Sequence, residues 1–363
     1  MSEPAEKAVD PRIATATSHW AHRFTANGVP LADFQRVAAE ITHWDQWCAA
    51  WSRRGGVHAA LAREALAAGH LLSAAEHFTR AGVCYHFGKF LFVHRPDEMR
   101  AAHEQAVACR NAALPRLRPP GERVAIPFEG RTLYGNLRRP AGIDRPPVVV
   151  MCMGLDSAKE EMDAYENDLL RRGMATLAFD GPGQGEAEYA FPIRGDYEAP
   201  VHAVFDWLEK RDDIDRDRIA LWGVILGGYY APRAAAFEKR AKACVGLSGP
   251  YRWLDVFDAA NALTREAFRA RSGAATLEEA RDKAAALTLE GVARNITCPL
   301  LVMAGDRDTL IPPDHARRLI AEAGGPVELL VVEGGSHVSN NVWYRYRPQT
   351  ADFLARHLRA VAA

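Results

Sequence analysis

Hydrophobic and polar positions change their rhythm about a third of the way along the chain. From residue 12 to 117 the apolar residues return at three- and four-residue steps. Trp44, Trp47 and Trp51 fall at i, i+3 and i+7, and the alanine-rich run ALAREALAAGHLLSAAEHFTRAGVCYHFGKFLF keeps the same spacing. That period lines up apolar side chains on one face of an α-helix, so the stretch is predicted helical throughout. LPRLRPPGER (114–123) then interrupts it with prolines and a glycine. Proline lacks the N–H a helix needs, so the helical region ends there and a domain junction is expected.

Beyond the junction the pattern becomes short β-rich runs separated by amphipathic stretches. RVAIPF, RTLYGNL, PPVVVMCM, MATLAFD, RIALWG, KACVGLS, PLLVMAG and VELLVVEG read as strands. Helices are expected near 157–172, near 198–210 and from 226. The apolar runs lack strict alternation, which predicts strands covered on both faces in a doubly wound, mostly parallel sheet. Residues 251–293 are polar and alanine-rich with helical spacing, a helical insertion between two strands. The chain therefore divides into a helical N-terminal domain (1–118) and an α/β domain (119–363).

Composition narrows the partners. The chain has 363 residues, 48% of them hydrophobic, enough for a sizeable core, and a formal net charge of -1. Such a chain has no field to attract nucleic acid or anionic lipid. MSEPAEKAVDP opens without the basic start and apolar run of a secretory signal, and no later run is long enough to span a membrane. Cys48, Cys84, Cys109, Cys152, Cys244 and Cys298 show no C-x-x-C pairing and are read as reduced, buried thiols, so a cytoplasmic location is expected.

Four pieces of the α/β half bear chemistry, and their order matters more than any one of them. The strand RIALW runs into Gly223-Val224-Ile225-Leu226-Gly227, the spacing of a G-x-S-x-G nucleophile elbow with Ile225 at the nucleophile position. MAGDRDTLIPP follows a later strand and offers Asp308, and VVEGGSHVSNN places His337 after the last one. A carboxylate at Asp308 suits an imidazole Nδ1–H, fixing its tautomer. VVVMCMGLDSAKEE runs from a strand into Gly154-Leu155, where the Leu155 N–H joins that of Leu226 as an expected oxyanion donor. A glycine-rich turn, an aspartate in a loop and one histidine among 13 each have an ordinary structural reading alone. GPGQG (181–185) departs from the G-x-G-x-x-G of dinucleotide sites and is read as a sharp loop beside the active site. His19 and His22 lack a third ligand, so no metal is expected there. The tryptophans and His43, His58 and His86 are read as packing residues.

With FDGPGQGE (179–186), GLDSAKEE (154–161), GDRDTLIP, GGSH and the helical first third ending in CYHFGKFLF, the chain resembles the α/β-hydrolase group of C–C bond hydrolases that act on pseudooxynicotines and polyketides. The resemblance covers nearly the whole chain. It implies an α/β-hydrolase fold with a helical N-terminal cap domain closing over the active site, no metal or organic cofactor, a small-molecule substrate and a homodimer. It implies hydrolysis of a C–C bond next to a ketone, or of an ester, in an aryl or polyketide-type substrate. Residue 225 would be the nucleophile, Asp308 the acid, His337 the base, and Leu155 and Leu226 the oxyanion donors. Trp253 and Asp255, just after KACVGLS, fall where the fold tends to place substrate contacts.

Ile225 departs from that pattern. A hydrocarbon offers His337 no proton to remove, so no acyl-enzyme forms at this position. Three readings stay open: a working hydrolase altered at one residue, a naturally serine-less enzyme using His337–Asp308 as a general base (a lyase, decarboxylase, cyclase or isomerase), or a ligand-binding protein.

Overall fold

The computed structural model describes residues 9–361. The chain separates into two units, residues 1–113 and 114–363.

The first unit is helical: α1 (Pro11–His19), α2 (Ala21–Ala26), α3 (Leu31–Glu40), α4 (Trp47–Ala67), α5 (Leu71–Lys89) and α6 (Pro96–Ala113). The aromatic residues that set the sequence period form its core. Trp44 stacks on Trp47 at 4.8 Å, Phe24 stacks on Phe87 at 3.9 Å, and Trp47 Nε1 donates to the Phe87 carbonyl at 2.8 Å. Burying the indole N–H is tolerated because it finds an acceptor at the end of α5.

The second unit holds one eight-stranded sheet in the order β1-β2-β4-β3-β5-β6-β7-β8. The strands are β1 (Gly121–Phe128), β2 (Arg131–Arg138), β3 (Val148–Cys152), β4 (Ala175–Phe179), β5 (Ile219–Val224), β6 (Ala241–Leu247), β7 (Leu300–Gly305) and β8 (Val327–Val332). β2 pairs antiparallel with both β1 and β4, and every pairing from β4 through β8 is parallel. The central strands β3, β4, β5 and β7 are buried at every position, as their unbroken apolar runs require. The two edges differ. β1 alternates, burying Val124, Ile126 and Phe128, while β8 leaves Val327, Leu329 and Val331 exposed.

The helices of this unit are α7 (Asp163–Leu170), α8 (Glu198–Leu208), α9 (Gly227–Phe237), α10 (Trp253–Ala259), α11 (Ala262–Arg271), α12 (Leu277–Ala285), α13 (Pro313–Glu322) and α14 (Arg347–Leu358). Between β6 and β7 the chain forms α10, α11 and α12. The helix expected over 157–172 is not continuous. Lys159–Glu161 form a separate 3-10 turn and α7 begins only at Asp163. The Lys159 N–H, at the start of that turn where a helix offers no internal acceptor, is bound to the Asp180 carboxylate at 2.9 Å. No helix of the described residues is long and apolar enough to cross a membrane.

All six cysteines are unpaired, five of them buried and Cys298 intermediate. Burial pushes the Cys298 thiol up to about 11 and the Cys48 thiol likewise to about 11. The thiolate is the reactive form. A native chain at pH 7.5 is therefore expected to give at most one slowly reacting thiol with Ellman's reagent, and all six after unfolding. Rapid native reaction of several thiols would contradict the burial pattern.

Candidate active site

Parallel pairing brings the C-terminal ends of β3, β5, β6, β7 and β8 to one edge of the sheet, and the chemistry-bearing loops leave from that edge. The first is the elbow between β5 and α9. Ile225 has φ 57, in the left-handed region, held by its N–H on the Leu247 carbonyl at 2.9 Å and its own carbonyl on the Gly228 N–H at 2.8 Å. A β-branched residue in that region costs about 1–3 kcal/mol. Its side chain is buried, which returns roughly 1.5–3 kcal/mol.

The flanking glycines make the turn possible. A Cβ on Gly223 would lie 1.9 Å from the Gly227 carbonyl oxygen, and one on Gly227 would lie 2.1 Å from the Cys152 carbonyl oxygen. Strand, helix and the exit of β3 thus meet backbone to backbone, the packing that nucleophile elbows require. A Cβ on Gly154 would stand 3.3 Å from Ile225 Cβ, so the loop after β3 lies directly against residue 225. Among the described residues, neither the Leu155 nor the Leu226 N–H is donated to a protein acceptor.

The loop after β7 carries Asp308 and the loop after β8 carries His337. His337 Nδ1 stands 3.0 Å from Asp308 Oδ2 and 3.2 Å from Oδ1. Both side chains are buried. Asp308 Oδ1 also accepts from the Leu310 and Ile311 N–H groups at 3.0 and 2.9 Å. Burial is the largest single influence on this carboxyl and pushes its pKa up. His337 and the two N–H donors together outweigh it, and Asp308 is held below the ordinary carboxylate range. The pair is built to keep Asp308 ionised and the imidazole in one orientation.

Trp253 and Asp255 lie at the start of α10. Trp253 is buried and packs on Phe268 at 5.6 Å. Asp255 is 38% exposed and pairs with Arg318 at 3.1 Å and Arg252 at 3.7 Å, a surface ion pair that occupies its carboxylate.

Two residues of this edge, Lys159 within GLDSAKEE and Gln184 within GPGQG, act through partners that neither stretch reveals. Lys159 is wholly buried, with Nζ at 2.7 Å from Asp180 Oδ2, 2.7 Å from Glu160 Oε1 and 2.6 Å from Glu186 Oε2. Gln184, the fourth residue of GPGQG, reaches the loop after β3, its Nε2 donating to the Met153 carbonyl at 2.6 Å. The sharp glycine-rich turn was the only signal in the sequence that this loop has a placing role.

An eight-stranded, mostly parallel sheet with a tight β5–α9 elbow, a buried aspartate after β7 and a histidine bonded to it after β8 is the arrangement of an α/β hydrolase. Comparison with known proteins agrees. Residues 162–360 match the prolyl oligopeptidase family. The 2,6-dihydropseudooxynicotine hydrolase of Paenarthrobacter nicotinovorans is 36% identical over 348 residues, 92% of this chain and 90% of that protein. The crystal structure of 2,6-dihydroxy-pseudo-oxynicotine hydrolase aligns with a TM-score of 0.85 at 34% identity, covering 93% of this chain and 95% of that one. The 20-hydroxy-prefusarin hydrolase FUS2 of Gibberella moniliformis is 33% identical over 247 residues, 64% of this chain and 58% of that protein. The chain belongs to the prolyl oligopeptidase family of α/β hydrolases, whose relatives named here are hydrolases.

Proposed function

We propose that this chain hydrolyses a C–C bond next to a ketone in an aryl or polyketide-type substrate, and that it does so without a covalent intermediate. His337 is the general base, oriented by Asp308. Its Nε2 removes a proton from water, and the hydroxide adds to the ketone carbon. The resulting alkoxide rests on the Leu155 and Leu226 N–H groups. Collapse breaks the neighbouring C–C bond and leaves a carboxylic acid. The departing carbon carries the electron pair as a stabilised carbanion, which takes the proton back from His337.

One combination carries this reading: a hydrocarbon side chain at φ 57 where the elbow presents its nucleophile, together with a His337–Asp308 hydrogen bond of 3.0 Å. Covalent catalysis has lost its atom while the base retains its support. The substrate class follows the resemblance to hydrolases of a pseudooxynicotine and of a prefusarin.

The test compares the parent chain with Ile225→Ser on an aryl 1,3-diketone. The parent is expected to release a carboxylate containing solvent ¹⁸O, with no acyl mass increment on acid quench. His337→Ala should lower that turnover by about 10²- to 10⁴-fold. Ile225→Ser should show an acyl increment at residue 225 and a kinetic burst. Product without solvent oxygen would replace hydrolysis with enolate chemistry of the lyase or decarboxylase kind. Tight ligand binding with no turnover that survives His337→Ala would replace both with a binding role.

A further inference from the structure

We infer that Gln184 is a positioning residue that aims the Leu155 N–H, and so sets one half of the expected oxyanion site. The inference rests on the reading of Leu155 as a donor given above.

The Gln184 side chain is buried and its amide orientation is fixed by its partners. Oε1 accepts from the Tyr197 hydroxyl at 2.7 Å and from the Gly181 N–H at 3.3 Å. A backbone N–H can only donate, and burial holds the Tyr197 hydroxyl protonated by pushing its pKa far up, so the atom facing both is the amide oxygen. Nε2 therefore faces the other way, donating to the Met153 carbonyl at 2.6 Å and the Gly154 carbonyl at 3.3 Å.

The consequence follows from the planarity of the peptide. The Gly154 carbonyl and the Leu155 N–H belong to one trans unit and point in opposite directions. Holding the carbonyl against Gln184 turns the N–H to the far side. A Cβ on Gly154 would stand 3.2 Å from the Val224 carbonyl oxygen and 3.3 Å from Ile225 Cβ, so the elbow packs closely on this same stretch.

Two further features make Gln184 a fixed post. Gly185 has φ 46 and packs against Asp180, where a Cβ would lie 2.1 Å from the carboxylate, so the turn that presents Gln184 is drawn tight. Asp180 in turn holds the Glu186 N–H at 2.9 Å and the Lys159 N–H at 2.9 Å. The Tyr197 ring stacks on Tyr230 of α9 at 3.7 Å, and α9 begins just after Leu226. One chain of contacts thus runs from the Leu155 peptide through Gln184 and Tyr197 to the helix that carries the second expected donor.

The test reads the two donors separately in the full chain labelled with ¹⁵N-leucine. In the free parent and in Gln184→Leu, the Leu155 amide resonance is expected to move while the Leu226 resonance moves far less. The probe is 2,2,2-trifluoroacetophenone, whose hydrate is a neutral tetrahedral diol that presents an oxygen anion once it gives a proton to His337, with acetophenone as the trigonal control. Gln184→Leu should weaken the trifluoro probe by about 10- to 100-fold, the range expected for a displaced oxyanion donor, and acetophenone by less than about twofold. Gln184→Glu should weaken it equally at neutral pH and regain affinity relative to the parent as pH falls, because the protonated carboxyl again donates to the Met153 carbonyl. Tyr197→Phe keeps the ring stack and should give a smaller effect of the same sign. An unmoved Leu155 resonance in Gln184→Leu, or equal weakening of both probes, overturns the inference. His337→Ala run in parallel separates this outcome from failure of the general-base reading, since it removes the base and leaves the Leu155 resonance of the free chain in place.

Discussion

Asp308→Asn is expected to lower kcat about 10⁴-fold with little change in KM, the size of loss seen when a histidine base is forced into the wrong tautomer. The geometry says how the tautomer would change. Both backbone donors, Leu310 and Ile311, point at Oδ1, while Oδ2 faces His337 Nδ1 at 3.0 Å. An asparagine keeps its carbonyl oxygen on the two N–H groups and so turns its NH₂ toward the imidazole. Nδ1 must then accept, the proton moves to Nε2, and the atom that should take a proton from water already carries one. Steady-state kinetics on the aryl diketone and ¹⁵N shifts of the imidazole check this together. A variant with unchanged kcat would remove Asp308 from the mechanism.

The sign of the pH dependence follows from the same pair. Asp308 is held below its ordinary value of 3.8, so its contribution to stability is complete above that pH and fades as pH falls through the lower folded value. Loss of activity between pH 5 and 7 is therefore not expected to come from protonation of this carboxyl.

The parts of the molecule legible in the sequence are those where a local pattern and the fold demand the same thing. Strands buried on both faces leave unbroken apolar runs, and the elbow leaves Gly223 and Gly227 because their Cβ atoms would collide with backbone. Asp308 and His337 could be placed by chain order, and they meet in a hydrogen bond. Lys159 and Gln184 could not, because each acts on a partner more than twenty residues away across two loops, where no period links them. Lys159 even reads as part of a helix, since AKEEMDAYENDLL is a good helical pattern, whereas it stands in a separate 3-10 turn ahead of α7. Asp255 is a different case. An acidic residue in the first turn of α10 is favoured there by the helix dipole and by Arg318, so its presence after β6 has a sufficient structural cause.

Lys159→Met is expected to cost about 3–5 kcal/mol, the usual consequence of removing one member of a buried ionic group. Burial alone would push the Lys159 pKa down. The carboxylates of Asp180, Glu160 and Glu186 reverse that and hold it above its ordinary value of 10.5. The stabilisation they provide is thus complete below that pH and is lost only as pH rises through the higher folded value. Methionine fills nearly the same volume but leaves Asp180 and Glu160, both buried, without the ammonium ion between them. Arg123 still reaches Glu186 at 2.9 Å, so the charge left over is concentrated on the other two. Lowering the pH relieves the uncompensated negative charge, so the variant is expected to lose less stability in acid. Urea titrations of the full chain at pH 5 and pH 8 should therefore give a smaller loss at pH 5. An equal loss at both would mean that the cost is one of packing, and that the carboxylates are not what Lys159 holds in place.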